Sequence, residues 1–120
     1  MEKVNLADKL ALFSDHWNPR IVGALNGQHV KLAKIEGEFV WHAHAGEDEM
    51  FLVLRGSFRM DFRGRDPVVL SEGDFIIVPR GVEHRPVAER EAAILLFEPA
   101  QIKHTGEVES PLTVHQFETL

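Results

Sequence analysis

Four side chains able to bind a metal ion lie in two short stretches of this sequence. His42 and His44 are separated by one residue, Glu49 comes five residues after His44, and His84 lies on a distant segment. Residues i and i+2 of a β-strand point to the same face, so both imidazoles of the first stretch should face one side. Three neutral imidazoles and one carboxylate suit a borderline divalent ion such as Fe, Mn, Ni, Cu or Zn. The sequence therefore predicts one metal site made by His42, His44, Glu49 and His84.

Four protein ligands would leave positions open in an octahedral shell. Open positions are typical of catalytic or ligand-binding metals, whereas a closed shell is usually structural. This favours a metal-dependent enzyme of oxygenase or isomerase type that acts on a small organic molecule. The alternative is a non-catalytic protein that binds or senses a small molecule. No further catalytic residue is assigned, because Glu47, Asp48 and Glu83 flank the ligands but can face solvent.

The elements that must position these side chains are short β-type runs separated by turns rich in Gly, Asn and Asp. The predicted strands are Arg20–Leu25, Val30–Ile35, Glu38–His44, Met50–Leu54, Ser57–Phe62, Val68–Leu70, Phe75–Val78 and Ala92–Phe97. Closely spaced strands of this kind favour an all-β barrel or sandwich. The segment Val4–Phe13 is either a short helix capped by Asn5 or an edge strand.

The apolar patterns predict which residues are buried. Met50–Leu54, Phe75–Val78 and Ile94–Phe97 are apolar on both faces and should be covered on both sides. The predicted core includes Trp41, Phe51, Phe58, Phe75, Ile77 and Phe97. Histidines outside the predicted site are expected at the surface, and these are His16, His29, His104 and His115. Solvated hairpin charges are the expected role of Arg59, Arg63 and Arg65.

The composition limits the cellular location and the classes of partner that we expect. The 120 residues include 13 basic and 19 acidic side chains, for a net charge of −6, and no basic cluster stands out. This argues against nucleic acid and anionic membranes as partners. Cysteine is absent, the N-terminus lacks the pattern of a signal peptide, and no apolar run approaches the roughly 20 residues that span a bilayer. We expect one cytoplasmic domain over residues 1–120.

Two stretches resemble the motifs of the cupin superfamily. Gly37–Glu49, followed by Gly56, resembles the first cupin motif (about 37–56), and Gly73–His84 resembles the second (about 73–88). The resemblance runs from about Val4 to about Gly106. It is closest to small single-domain cupins of the mannose-6-phosphate isomerase-like group, although no phosphate-binding loop is visible.

This resemblance implies an antiparallel jelly-roll β-barrel with one divalent metal ion (Fe, Mn, Ni or Zn) inside its wider end. The family's ligands correspond to His42, His44, Glu49 and His84. Two positions depart from the family pattern, neither of them a ligand: only four residues separate Gly37 from His42, and Ala88 replaces an asparagine. Related small cupins commonly form homodimers through N-terminal segments. The residues expected at such an interface are Val4, Leu6, Leu10, Leu12 and Phe13.

Overall fold

A short helix precedes the strands. The computed structural model describes residues 1–102, 104–106 and 108–120. Helix α1 (Leu6–Leu10) begins after Asn5, whose side chain accepts a hydrogen bond of 2.9 Å from the backbone N–H of Asp8. Such a cap satisfies a backbone donor that the first turn leaves free, so the N-terminal segment is helical rather than an edge strand. No helix in the described part of the chain is long and apolar enough to cross a membrane.

In the described part of the chain, seven strands follow the helix. They are β1 (Arg20–Leu25), β2 (Gln28–Glu38), β3 (Glu49–Arg55), β4 (Ser57–Phe62), β5 (Arg65–Ser71), β6 (Phe75–Val78) and β7 (His84–Pro99). Most of the predicted strands are present, several with longer bounds. The predicted strand Glu38–His44 is wrong, because β2 ends at Glu38 and His42 makes only an isolated bridge with His84. The ladder is already irregular at Gly37, whose φ of +84° is outside the β region.

All strand pairs are antiparallel, and the main sheet has the order β1-β2-β7-β3-β6. Strand β4 pairs with β5 and with the first residues of β7. Because β7 is 16 residues long, it pairs with β4 near its start and with β3 near its end, and so joins both parts of the fold. The jelly-roll architecture is confirmed, but the pairing of the described strands is an open path and does not close into a ring.

Strand alternation separates a buried inner face from an outer face. Phe51 and Phe58 lie in the inner core, as predicted, together with residues of β2 and β7. The prediction that β6 is covered on both sides is wrong, and so is core placement of Phe75 and Ile77, which are 61% and 55% exposed. Among the described residues β6 pairs only with β3, so it lies at the sheet edge, and no described element packs over Phe75 and Ile77 on the outer face.

Helix α1 covers the outer face at the edge formed by β1 and β2, opposite β6. Leu10 and Phe13 are buried in a second apolar cluster that includes Leu32 of β2 and Ala93 of β7. Leu120 packs against the same cluster, and its backbone N–H donates to the carbonyl of Ile21 at 2.9 Å. Leu10 and Phe13 therefore contribute to the core of their own chain, whereas Val4 and Leu12 are exposed.

Candidate metal centre

The structure brings the four predicted ligands together although they come from three separate places in the fold. His42 and His44 lie in the loop between β2 and β3, Glu49 is the first residue of β3, and His84 is the first residue of β7. All four are buried, and one potential ligand atom from each lies within 4.8 Å of the others. The His42–His84 bridge carries two backbone hydrogen bonds, of 3.0 and 2.9 Å.

Two further contacts hold the loop before β3 against the segment before β7. The backbone N–H of Gly81 donates to the carbonyl of His44 at 2.8 Å. The carboxylate of Asp48 accepts a 2.9 Å hydrogen bond from the backbone N–H of Arg80. Asp48 is exposed, whereas its neighbour Glu49 is 2% exposed and points into the fold. Of the three consecutive acidic residues 47–49, Glu49 thus supplies the carboxylate that points into the fold. Asp48 supplies the hydrogen bond that holds the loop to Arg80.

Hydrogen bonds to backbone carbonyls orient two of the imidazoles. His42 Nδ1 lies 2.9 Å from the carbonyl oxygen of Val40, and His84 Nδ1 lies 2.9 Å from that of Val82. A proton on Nδ1 that is donated to a carbonyl leaves the Nε2 lone pair free for a metal. This is the tautomer that a histidine requires in order to bind a metal through Nε2.

Three buried polar atoms of the cluster are left without a hydrogen-bond partner: His44 Nε2, His84 Nε2 and Glu49 Oε1. The two nitrogens lie 3.3 and 3.4 Å from the Glu49 oxygen. Buried polar atoms are nearly always satisfied in native proteins, so three unpaired atoms facing one point need an explanation. A bound cation would satisfy all three, and the donor set fits a borderline divalent ion.

The electrostatics of the cluster also suit a cation. Burial, helped by the nearby His84, lowers the pKa of His42 to about 3, so this imidazole is neutral at pH 7. Burial opposes ionisation of Glu49, but its contacts with Glu98, His44 and His84 outweigh it and hold the pKa well below the usual range. The site therefore presents a neutral His42 imidazole beside an ionised carboxylate.

A buried ion pair lies behind Glu49, and sequence reasoning did not single it out. Lys31 Nζ is 2.9 Å from Glu98 Oε1, and both side chains are fully buried. The register of β3 and β7 carries Glu98 to the position opposite Glu49. Burial, followed by the charge of Glu49, raises the pKa of Glu98 well above its usual range. The signal in the sequence was a charged residue at an inward position of an apolar strand.

A small cavity of about 30 Å³ lies beside the cluster, and we refer to it as the inner cavity. Its walls are apolar residues of β2, β3 and β7 together with Trp17, Phe39 and His104, and it reaches His42 and Glu49. Surface placement of His104 is wrong, since the side chain is 6% exposed and its Nε2 lies 3.2 Å from the carbonyl oxygen of Trp17. Burial lowers the pKa of His104. The other histidines outside the cluster are half-buried or exposed.

Comparison with known proteins agrees with the geometry. Residues 28–98 match the family model described as "Cupin domain". An uncharacterised protein of Bacillus subtilis strain 168, YdbB, is 38% identical over 64 residues, which are 53% of this chain and 57% of that protein. The match thus spans little more than half the length of that relative.

Solved structures extend the similarity to most of the chain. A cupin-2 domain containing protein from Shewanella frigidimarina is 44% identical, with a TM-score of 0.78 over 80% of this chain and 93% of that one. The hydroquinone 1,2-dioxygenase PnpCD in complex with Fe3+ is 17% identical, with a TM-score of 0.74 over 84% of this chain and 33% of that one. The second similarity shows a shared fold and no more.

Proposed function

This chain belongs to the cupin domain family, and from that premise we propose that it binds one divalent metal ion and acts on a small organic molecule. The ligands would be His42, His44, Glu49 and His84, and the ion would be Fe, Mn, Ni or Zn. The observation that carries the proposal is the set of three buried, unpaired polar atoms facing one point. A single domain and a cytoplasmic location stay predictions of the sequence.

The chain's own groups define what the site would offer to a reaction. Glu49 contributes a negative charge, His42 stays neutral at pH 7, and the inner cavity reaches both residues. The metal, when bound, would supply Lewis-acid or redox chemistry next to that cavity. The apolar walls would exclude water and orient a molecule against the metal. Catalysis then depends on a coordination position that is open to exchange.

Water exchange at bound Mn(II) tests whether such an open position exists. Mn(II)-loaded protein should enhance the relaxation of bulk water protons, because an open position holds an exchanging water. His84→Ala should remove the protein-bound signal by removing a ligand, while His115→Ala, an exposed histidine, should leave it unchanged. Tight Mn(II) binding with no relaxation enhancement would indicate a closed, structural shell and would contradict the proposal.

The surroundings of the site argue against an isomerase of sugar phosphates. No Lys or Arg among the described residues lines the inner cavity, so a phosphate would lack a cationic side chain there. We therefore expect no isomerisation of mannose 6-phosphate by the metal-loaded protein in a coupled assay. If the protein is instead a sensor, a bound ligand will raise its melting temperature without being turned over.

We also propose that the chain forms a homodimer, through the outer face of β3 and β6 rather than through the N-terminal residues. Strand register aligns two apolar rows across β2, β7, β3 and β6. The rows are Leu32, Leu95, Leu52, Phe75 and Val30, Phe97, Met50, Ile77. Helix α1 covers the β2 end, while the β6 end is exposed.

A second copy fits this face because both rows lack charged residues. The chain carries a net charge of −6, so charged surfaces of two copies repel each other, whereas an uncharged apolar face is complementary to itself. Light scattering should show a dimer for the natural chain and a monomer for Ile77→Lys. Val69→Lys changes a residue of β5 that is 68% exposed and outside the two rows, so it should stay dimeric. A particle of 13.6 kDa for the natural chain would contradict the proposal.

A further inference from the structure

The buried pair of Lys31 and Glu98 lies behind the metal cluster and next to one of its ligands. We infer that the pair positions the Glu49 carboxylate for the metal, so that Lys31 and Glu98 are positioning residues of the centre. The inference rests on the proposed function for the metal itself. It extends that function from the four ligands to the side chains that hold one of them in place.

Strand register brings the carboxyl groups of Glu49 and Glu98 together. Met50 of β3 pairs with Phe97 of β7, so the register carries Glu98 to the position opposite Glu49. Both glutamates point inward, because Met50 and Phe97 belong to an outward-facing row and successive side chains alternate between faces. Both are buried, and their carboxyl groups contact each other inside the fold. Glu98 therefore limits how the Glu49 side chain can rotate.

Glu98 is held in turn by Lys31. The Lys31 Nζ atom lies 2.9 Å from Glu98 Oε1, and both side chains are fully buried. The ammonium group also lies 4.0 Å from the ring centroid of Phe117, which adds a cation–π contact. Glu98 Oε2, the other oxygen of the carboxyl group, has no hydrogen-bond partner and is the oxygen available to Glu49. Lys31 thus offsets the charge of a second carboxyl group that the fold keeps close to Glu49.

A metal ligand binds most strongly when its orientation is fixed before the metal binds. His42 and His84 each have a backbone carbonyl that orients the imidazole. Glu49 is the one carboxylate among the four predicted ligands, and the Lys31–Glu98 pair is its corresponding support. Groups that orient a metal ligand typically contribute about 10- to 100-fold to metal affinity. Loss of the pair should therefore weaken metal binding even in a chain that stays folded.

Two double variants with the same charge test the inference. Lys31→Met/Glu98→Leu replaces both partners by apolar groups, so the chain should stay folded while Glu49 loses its support. Its Zn(II) affinity, measured by competition with a chromophoric chelator, should fall by about tenfold or more. Charge alone does not predict this fall, since removal of a nearby cation leaves Zn(II) binding unchanged or tighter. Lys31→Met/Glu98→Gln restores a polar group that can donate to Glu49, so it should recover most of the lost affinity.

The absorption spectrum of bound Co(II) and a stability control separate positioning from a general loss of structure. The visible bands of Co(II) depend on ligand geometry, so they should differ between the natural chain and Lys31→Met/Glu98→Leu. Leu10→Ala removes a buried side chain from the second apolar cluster and lowers stability without touching Glu49. Its Zn(II) affinity and Co(II) spectrum should match those of the natural chain. If the first double variant does not fold, Glu98→Asp keeps the charge, withdraws the carboxyl group from Glu49, and should also lower the affinity.

The possible outcomes separate the inference from the proposed function. Natural Zn(II) affinity or natural Co(II) bands in folded Lys31→Met/Glu98→Leu would overturn the inference and leave the metal site standing. Equal affinity of the two double variants, or an equal fall in Leu10→Ala, would overturn it as well. No Zn(II) binding by the natural chain, or binding that His84→Ala does not weaken, would overturn the proposed function and the inference with it.

Discussion

Two groups of ionisable side chains are buried side by side in this molecule, and they differ in how their polar atoms are satisfied. Lys31 Nζ binds Glu98 Oε1 at 2.9 Å, which leaves one oxygen of this pair, Glu98 Oε2, without a hydrogen-bond partner. The neighbouring His44, Glu49 and His84 leave three polar atoms unpaired around one point. Burial alone therefore does not identify a site. The unpaired atoms that converge are the feature that indicates a cation-binding site.

The ion pair has the properties of a structural element that also supports the site. Its ammonium group contacts Glu98, whose pKa is raised by burial and by the charge of the neighbouring Glu49. Removing one partner of a buried pair leaves a charge without compensation, whereas replacing both partners by apolar groups is often neutral. Substitutions in the ion pair and substitutions in the cluster should therefore change the free energy of unfolding in different ways.

The largest expected effect is the loss of Glu98. Glu98→Leu leaves the Lys31 ammonium buried and unpaired, so the free energy of unfolding should fall by about 3–5 kcal/mol. The double variant Lys31→Met/Glu98→Leu should recover most of that loss. Urea unfolding followed by circular dichroism measures both. A double variant as unstable as the single variant would show that the pair does more than neutralise its own charges.

Metal binding should have the next largest effect, and only through the unpaired cluster. At a metal concentration about 100 times the dissociation constant, binding to the native state adds about 2.7 kcal/mol to the free energy of unfolding. We expect this gain in the natural chain and its absence in His84→Ala, measured by urea unfolding with and without Zn(II). Equal stabilisation of both chains would place the metal elsewhere.

Acid should weaken the metal-free protein through His42. Its pKa falls from 6.5 to about 3 on folding, so between these values the unfolded chain binds more protons and stability falls as the pH falls. The maximum slope is about 1.4 kcal/mol per pH unit for one group. His42→Gln should remove this component, seen as a smaller difference in stability between pH 6.5 and pH 4. An unchanged pH profile in the variant would contradict the assignment.

The smallest effect is expected at the exposed contact between the two motif segments. Asp48→Ala removes a hydrogen bond to the backbone of Arg80 at the surface, where screening by solvent limits its contribution. Metal content should stay unchanged, because Glu49 keeps its own buried contacts. A loss of metal in Asp48→Ala would show that this contact positions the loop, and elemental analysis would detect it.

The cluster could be predicted from sequence because motif spacing specifies it strongly. Two histidines one residue apart, a glutamate after a turn, and a distant histidine behind a Pro-X-Gly turn predicted residues that do converge. The cluster forms although His42 and His44 do not lie in the strand that the sequence predicted. A single backbone bridge to His84 and the contact from Gly81 to His44 bring the segments together instead.

Features that depend on distant packing could not be predicted in the same way. Phe75 and Ile77 have the composition of a core strand, and only the position of β6 at the sheet edge exposes them. His104 lies in an irregular tail with no periodic pattern, so only the tertiary structure shows that it lines the inner cavity. The Lys31–Glu98 pair needs the register of β2 with β7, which joins residues 67 positions apart.

The central claim is that these four residues hold one metal ion, and metal stoichiometry tests it most directly. Elemental analysis of protein purified without added metal should find close to one divalent ion per natural chain. We expect less than a tenth of that amount in His42→Ala and His84→Ala, and an unchanged amount in His115→Ala. Equal metal content in all four proteins would contradict the account.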